Sequence, residues 1–221
     1  MIDTAPARTR TQIKICGFTR PADAVTAVEL GADALGLVFY PPSSRYISID
    51  QAVAISAAVA PFTCITALFL DADKEHVDQI LDAVPVSMLQ FHGNETPAYC
   101  ESFKRPYMKS VSMKSTVDIH GYCKPYRNAR AFLLDSNVAG AAGGSGEVFD
   151  WSLVPRDFSA PLVLAGGLDT ANVETAVAQV RPDAVDVSSG VESARGIKES
   201  ALMQQFIAGV RRADANLGSG L

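Results

Sequence analysis

Cysteine and histidine are too few and too scattered in this sequence to build a structural metal site. The 221 residues include three histidines and four cysteines, Cys16, Cys64, Cys100 and Cys123. No two cysteines form a C-x-x-C pair, the spacing that most structural zinc sites use. The sequence therefore predicts a protein without a metal or other cofactor, reduced and cytoplasmic.

Excess positive charge and long apolar runs are also missing. The sequence has 19 Lys and Arg against 24 Asp and Glu, a net charge of -5. A nucleic-acid surface would normally carry a basic stripe instead. No apolar run reaches the roughly 18 residues that a membrane helix needs. We therefore expect no nucleic-acid partner and no membrane partner.

Both ends of the chain are polar. Residues 1–12 contain Arg8 and Arg10 with no apolar stretch after them, which does not fit a secretory signal. We expect residues 1–12 to form a flexible lead-in and residues 215–221 to form a flexible tail. One domain is then expected to cover residues 13–214.

Short apolar runs alternate with longer stretches that have helical spacing. The runs predict eight strands, at Ile13–Cys16, Ala34–Phe39, Ile65–Leu70, Val86–Phe91, Tyr107–Val111, Ala131–Asp135, Leu162–Ala165 and Ala184–Ser188. Each run is continuously apolar, which is typical of parallel strands covered on both faces.

The stretches between these runs predict helices. They are Pro21–Leu30, Ile49–Val59, Lys74–Ala83, Thr96–Phe103, Thr170–Gln179 and Lys198–Arg212, with poorly defined segments at Thr116–Tyr122 and near Asp150. Repeated β/α units within about 200 residues favour a single-domain α/β fold, the (β/α)8 TIM barrel. The alternative is an open Rossmann-like or flavodoxin-like sheet, which usually has about five or six strands.

Polar residues stand at the ends of several predicted strands. A parallel barrel places its active site at the carboxyl ends of its strands, and side chains two residues apart share a face. If side chains alternate in the same phase on every strand, four pairs point to the barrel mouth: Lys14 and Cys16, Gln90 and His92, Leu133 and Asp135, and Asp186 and Ser188. Since strand eight must neighbour strand one, we also expect Lys14 and Asp186 to pair, because a lone buried ammonium is costly.

Cys16 and Asp135 are the candidates for acid–base chemistry. A cysteine is often only a small buried thiol, but a strand end beside Lys14 would favour the thiolate, which can act as a base. Asp135 ends an apolar strand, where it would either cap a turn or act as a general acid with its pKa raised by apolar surroundings.

Two turns of small residues are candidates for binding an anion. A-G-G at 165–167 follows the seventh predicted strand and S-S-G at 188–190 follows the eighth. Glycines let backbone N–H groups approach a phosphate, and these two loops are the frequent phosphate site of such barrels. The predicted phosphate-binding residues are Gly166, Gly167, Ser188, Ser189 and Gly190.

Three further loops carry polar candidates. Arg45 lies in a proline-restricted loop, and its guanidinium suits a carboxylate. His92 is either a polar residue of the barrel rim or a substrate contact, and Gln90 and Asp186 share its direction. G-G-S-G at 143–146 lacks the Gly-Lys-Ser/Thr ending of a P-loop. That loop is expected to be mobile and could form a lid.

Several motifs resemble the signature of phosphoribosylanthranilate isomerases. They are K-I-C-G at 14–17, G-L-V-F at 36–39 with Ser44 and Arg45, Q-F-H-G at 90–93 with Glu95, L-D at 134–135, G-G-S-G at 143–146, F-D-W at 149–151, L-A-G-G-L at 164–168 with Asn172 and Val173, and D-V-S-S-G-V-E at 186–192. They span residues 13 to about 200 in the family's order. Ser145 stands where the family often has threonine, and Y-P-P-S-S at 40–44 is a variant of its Ser-Pro-Arg segment.

The resemblance implies a cofactor-free Amadori rearrangement of N-(5'-phosphoribosyl)anthranilate, a phosphorylated aminosugar, in tryptophan biosynthesis. It implies that Asp135 protonates the furanose ring oxygen and that Cys16 removes the proton from C2 of the sugar. Arg45 would hold the anthranilate carboxylate, with the two glycine turns at the phosphate. The oligomeric state is expected to be monomer or homodimer.

Three other kinds of barrel are alternatives. A histidine-pathway aminoaldose isomerase would use acidic groups for both proton transfers, and a metal-dependent epimerase would need converging His and Asp ligands. A non-catalytic barrel that binds phosphorylated ligands would keep the glycine turns without needing Cys16 and Asp135.

Overall fold

Eight parallel strands close into a barrel, as the apolar runs predict. The computed structural model describes residues 10–116, 118–136 and 148–218. The strands are β1 Gln12–Cys16, β2 Ala34–Val38, β3 Cys64–Phe69, β4 Met88–Phe91, β5 Tyr107–Ser112, β6 Ala131–Asp135, β7 Leu162–Leu164 and β8 Ala184–Val187. They follow one another around the barrel in chain order, and β8 pairs with β1 in parallel. The predicted (β/α)8 fold is therefore confirmed, and no strand end moves by more than two residues.

Helices cover the outside of the barrel between the strands. They are α1 Pro21–Glu29, α2 Ile49–Ala58, α3 Lys74–Ala83, α4 Pro97–Glu101, α5 Ile119–Cys123, α6 Val173–Val180 and α7 Ser200–Gly218, with a 3-10 helix at Trp151–Leu153. Local chemistry fixes their starts: Pro21 opens α1, and Ser48 and Gln51 form a capping box at α2. The segment Thr116–Tyr122 has weak helical spacing, and the helix in this region, α5, has only five residues.

A two-stranded hairpin after β8 differs from the prediction. We expected a helix from Lys198, but Lys198 lies in the antiparallel pair β9 Glu192–Ala194 and β10 Ile197–Lys198. Gly196 makes this turn possible because its φ of 78° is strained for any residue with a side chain. The hairpin places Lys198 opposite Glu192, a pairing that helical spacing would not produce.

The main core lies between the strands and the surrounding helices. Phe39, Phe69 and Phe91, from successive strand ends, pack against one another outside the barrel with ring centroids 5.6 and 6.4 Å apart. Each ring is at most 2% exposed, and burying such a side chain contributes about 1.5–3 kcal/mol. Because these residues face outward, Gln90, next to Phe91, faces into the barrel.

The described parts of both chain ends are bound to the barrel. Thr11 donates from its backbone N and its Oγ1 to the Asp214 carboxylate at 3.0 and 2.7 Å, and Arg211 Nη1 donates to the Thr11 carbonyl at 2.7 Å. β1 begins at Gln12 and α7 continues to Gly218, so residues 12 and 215–218, which we expected in the lead-in and the tail, belong to secondary structure. The domain bounds themselves stay a prediction. No helix in the described ranges is both long and apolar enough to cross a membrane.

Candidate active site

The carboxyl ends of the strands surround one cavity, which gathers almost all of the predicted site residues. Its lining consists of Cys16, Val38, Tyr40, Ser43, Arg45, Leu68, Leu70, Gln90, His92, Asp135, Ala165, Gly166, Gly167, Leu168, Asp186, Val187, Ser188 and Ser189. Gly190 is the one predicted site residue that does not line it. The predicted G-G-S-G loop at 143–146 lies outside the described residues.

Cys16 ends β1 as a buried thiol, 6% exposed. Gly36 on β2 leaves room for it, because a Cβ there would come within 2.5 Å of the Cys16 Sγ. Burial raises the pKa of the Cys16 thiol, and the carboxylate of Asp186 adds to this, although the ammonium groups of Lys14 and Lys198 oppose it. Lys14 therefore favours the thiolate, as expected, but desolvation outweighs the positive charges and the pKa of the thiol is raised overall.

Lys14 and Asp186 form the predicted ion pair inside the barrel. Their strands are in register at these two residues, and Lys14 Nζ donates to Asp186 Oδ1 at 2.9 Å. Burial and the nearby Asp135 raise the pKa of Asp186, whereas Lys14 lowers it. Burial alone would lower the pKa of Lys14, but Asp186 and Cys16 hold it above its ordinary value. The pair thus keeps a positive charge beside the thiol.

Lys14→Met should destabilise the fold by about 3–5 kcal/mol, because it leaves the Asp186 carboxylate buried without a counter-charge. Urea unfolding followed by circular dichroism would measure this loss. Lys74→Met is the matched control, since Lys74 pairs with Asp78 on the surface, where both side chains are nearly half exposed. Such a pair contributes at most about 1 kcal/mol, so equal losses in the two variants would contradict the prediction.

Asp135, His92 and Gln90 form a chain of polar groups across the mouth. His92 Nε2 lies 3.4 Å from Asp135 Oδ2, and His92 Nδ1 lies 3.3 Å from Gln90 Nε2. With the Gln90 amide nitrogen as donor, His92 Nδ1 is the acceptor of this contact. Gln90 Oε1 is buried and has no hydrogen-bond partner in the described part of the chain. An unpaired buried acceptor at this position suits a substrate hydroxyl.

A buried lysine and glutamate hold the turn that carries His92. Lys109 Nζ donates to the carbonyls of Phe91 and Gly93 at 3.3 and 2.6 Å and to Glu95 Oε2 at 3.2 Å. Glu95 in turn accepts from the backbone N–H of Gly93. The sequence analysis missed this support. The available signal was Lys109 itself, a charged residue within a predicted buried strand.

The turns after β7 and β8 line the same cavity. Gly166 and Gly167 have φ values of 79° and 67°, a conformation that favours glycine. The backbone N–H groups of Gly167 and Ser189 have no acceptor among the described residues. Gly190 packs the turns together instead, since a Cβ there would collide with the Leu168 carbonyl. Two glycine turns with available donors fit a phosphate group.

Arg45 lies in the mouth but is held by a partner that the sequence analysis did not identify. Its Nε and Nη2 donate to Glu192 Oε1 and Oε2 at 2.8 and 2.7 Å. Lys198 Nζ donates to the same carboxylate at 2.7 Å. Glu192 appeared only as the last residue of the D-V-S-S-G-V-E motif, and Lys198 only as a helix start. In residues 10–116, 118–136 and 148–218, no three His, Cys, Asp or Glu side chains cluster to hold a metal ion.

A family model and several known proteins match this chain. The family model for "N-(5'phosphoribosyl)anthranilate (PRA) isomerase" matches residues 13–209. The N-(5'-phosphoribosyl)anthranilate isomerase of Pseudomonas syringae pv. syringae is 53% identical over 197 residues, covering 89% of this chain and 96% of that protein. The enzyme of the same name from Leptothrix cholodnii is 52% identical over 211 residues, covering 96% and 94%.

Solved structures agree with the sequence relatives. A phosphoribosyl anthranilate isomerase in complex with reduced 1-(o-carboxyphenylamino)-1-deoxyribulose 5-phosphate is 37% identical, with a TM-score of 0.81 over 91% of this chain and 99% of that one. The Thermus thermophilus phosphoribosyl anthranilate isomerase is 32% identical, with a TM-score of 0.83 over the same shares.

Proposed function

This chain belongs to the N-(5'-phosphoribosyl)anthranilate isomerase family and catalyses the Amadori rearrangement of that compound in tryptophan biosynthesis, and we propose that Cys16 and Asp135 are its general base and general acid. The observation that carries this assignment is the position of both side chains on one cavity, at the ends of β1 and β6, beside two glycine turns. An acid and a base are what this isomerisation requires, since one proton must reach the ring oxygen and another must leave C2.

The reaction begins at the ring oxygen of the substrate. Asp135 donates a proton to this oxygen as the bond between it and C1 breaks, which leaves a Schiff base between C1 and the anthranilate nitrogen. His92 orients the Asp135 carboxyl through their 3.4 Å contact. Gln90 fixes the His92 ring from the other side.

Cys16 acts on the opened sugar. Its thiolate removes the proton from C2, the electrons of that bond move to form the C1–C2 double bond, and the nitrogen keeps the Schiff-base proton. The resulting enolamine tautomerises to the ketone 1-(2-carboxyphenylamino)-1-deoxyribulose 5-phosphate. Lys14, paired with Asp186, stabilises the thiolate because it places a positive charge beside the sulfur.

The two ends of the substrate are held away from the reacting carbons. Arg45 binds the anthranilate carboxylate, and the turns containing Gly166, Gly167, Ser188 and Ser189 bind the phosphate through backbone N–H groups, with Gly190 packed behind them. Gln90 and Asp186 contact the sugar hydroxyls. Binding at both ends places C1 and C2 between acid and base, which contributes to the rate through orientation.

Cellular location and oligomeric state are also part of the proposal. Four free thiols support a reducing, cytoplasmic location. We propose that the protein is either a monomer or a homodimer. The structural relatives include monomers generated from a dimeric Thermotoga maritima enzyme.

Purified protein should accelerate the loss of arylamine fluorescence when added to N-(5'-phosphoribosyl)anthranilate formed from anthranilate and ribose 5-phosphate. EDTA should leave this rate unchanged, because the proposed steps need only protein side chains. Chromatography would identify the deoxyribulose phosphate product. Folded protein without activity would overturn the proposal, and the histidine-pathway aminoaldose would then be tested. Loss of activity in EDTA would overturn the proposed metal independence alone.

A further inference from the structure

Arg45, Glu192 and Lys198 form a buried charge network at the rim of the barrel mouth, here called the rim network. Arg45 is 8% exposed, and the side chains of Glu192 and Lys198 are 4% and 0% exposed. Glu192 accepts two hydrogen bonds from Arg45 in fork geometry and one from Lys198. Groups buried to this degree are held in one arrangement, because breaking any contact would leave a charge without its partner.

The network has an excess of positive charge. Arg45 and Lys198 supply two positive charges and Glu192 supplies one negative charge. Burial would raise the pKa of Glu192, but Arg45 and Lys198 outweigh burial and hold it below its ordinary value. Glu192 is therefore ionised. Burial lowers the pKa of Lys198, whereas Glu192 and Cys16 oppose this lowering. With both cations protonated, the three residues carry a net positive charge at a cavity that takes an anionic substrate. A substrate carboxylate would balance that charge.

The same network reaches the catalytic strand. Lys198 Nζ donates to the carbonyl oxygen of Cys16 at 2.5 Å and to that of Ser188 at 3.1 Å. Ser188 Oγ also donates to the Cys16 carbonyl, at 2.9 Å. The end of β1, the turn after β8 and the Arg45 guanidinium are thus joined through one ammonium and one carboxylate.

The hairpin that carries Glu192 and Lys198 is hydrogen-bonded to the loop after β1 and to α1. Thr19 Oγ1 donates to the Gly196 carbonyl at 2.6 Å, and the Lys198 backbone N–H donates to Asp23 Oδ2 at 3.1 Å. Gly17, with φ of 83°, leaves room for Arg45, because a Cβ there would overlap the Arg45 Cδ. Backbone and side chains together fix where the guanidinium lies.

We propose that Glu192 is a specificity-determining residue, which orients Arg45 toward the aryl carboxylate of the substrate, and that Lys198 is a positioning residue that joins this pair to Cys16 and Ser188. The proposal rests on the proposed function, in which Arg45 binds that carboxylate. A guanidinium has five N–H donors, so holding one edge on Glu192 is compatible with recognition of a second carboxylate. Fixed orientation lets the site select substrates that carry the carboxylate over those that lack it.

The test compares two substrates. One is N-(5'-phosphoribosyl)anthranilate, and the other is the glycosylamine formed from aniline and ribose 5-phosphate, which lacks only the carboxylate. The discrimination ratio is kcat/KM for the first divided by kcat/KM for the second, with turnover measured by chromatography. Because this ratio compares two substrates on one protein, a general loss of activity does not change it.

Glu192→Gln should raise KM for the anthranilate substrate about 10- to 100-fold and lower the discrimination ratio by a similar factor, as expected for loss of hydrogen bonds between charged groups. Glutamine has one acceptor oxygen and turns an N–H₂ group toward Arg45 or Lys198. Arg45→Ala should lower the ratio as well, and the double variant should lower it no further than Arg45→Ala alone. Lys198→Met should lower kcat too, because it frees the Cys16 carbonyl.

Glu174→Gln is the matched control, because Glu174 accepts from Arg212 at 2.9 Å in an exposed ion pair outside the site. Its ratio should equal that of the wild type. An unchanged ratio in folded Glu192→Gln, or additive losses in the double variant, would overturn the proposal. If Glu192→Gln does not fold, Glu192→Asp replaces it, with a reduced ratio expected and an unchanged ratio contradicting the proposal. Wild-type protein that turns over neither substrate would instead contradict the proposed function.

Discussion

Cys16→Ala should bind the product and fail to make it, with kcat lowered by about 10²- to 10⁴-fold, the usual contribution of a positioned base. Alanine removes the only thiol that lines the described part of the cavity. It leaves Arg45 and the glycine turns in place, so the dissociation constant of the deoxyribulose phosphate product should change little. Turnover from the fluorescence assay and product binding by calorimetry give the two numbers separately.

Cys64→Ala is the control for this variant. Cys64 begins β3 and belongs to the opposite end of the barrel, where it lines a separate cavity at the amino ends of the strands. Its removal should leave kcat within about twofold of the wild type, as for a change away from the chemistry. Unchanged turnover in folded Cys16→Ala would exclude the thiol as the base. Equal losses of turnover and of product binding would assign Cys16 to binding instead.

The pH dependence of the wild type follows from the buried thiol. Because burial raises the pKa of Cys16, the fraction present as thiolate is small near neutral pH and increases as pH increases. The value of kcat/KM should therefore rise from about pH 6 to about pH 9, with no plateau at neutral pH. A flat profile over this range would show that the thiolate already exists in the free protein.

Most of the barrel and its mouth could be predicted from the sequence, because both depend on local patterns. Continuous apolar runs mark strands that are buried on both faces. Period-two spacing then decides that Lys14, Cys16, Gln90 and Asp135 face inward. The Lys14–Asp186 pair also follows from closure of the barrel. Strands one and eight must be neighbours, and the buried charge of Lys14 needs the opposite charge that Asp186 supplies.

Long-range pairing of loops and the balance of burial against charge could not be predicted in this way. Arg45 and Glu192 are 147 residues apart, and no periodicity relates a loop after β2 to a hairpin after β8. Lys198 fitted a helix start by composition, whereas the hairpin turn at Gly196 decides its position. The pKa of Cys16 depends on how completely neighbouring side chains exclude water, which a sequence does not state.

Asp135→Asn should lower kcat by about 10²- to 10⁴-fold because the amide cannot deliver an acidic proton to the ring oxygen. Asparagine keeps the size of the side chain and can still contact His92. Ring opening should then limit the rate. Substrate made from ribose 5-phosphate with deuterium at C2 reports this directly, since only the later C2 step breaks the labelled bond.

The isotope effect separates the acid from the base. In Asp135→Asn it should fall toward one, because the bond to C2 breaks after the slow step. In Cys16→Ala it should be at least as large as in the wild type, because C2 deprotonation is the step that has become slow. Asp78→Asn, which changes an exposed partner of Lys74, should match the wild type in rate and isotope effect. A large isotope effect retained in Asp135→Asn would place Asp135 after ring opening and exclude it as the acid for that step.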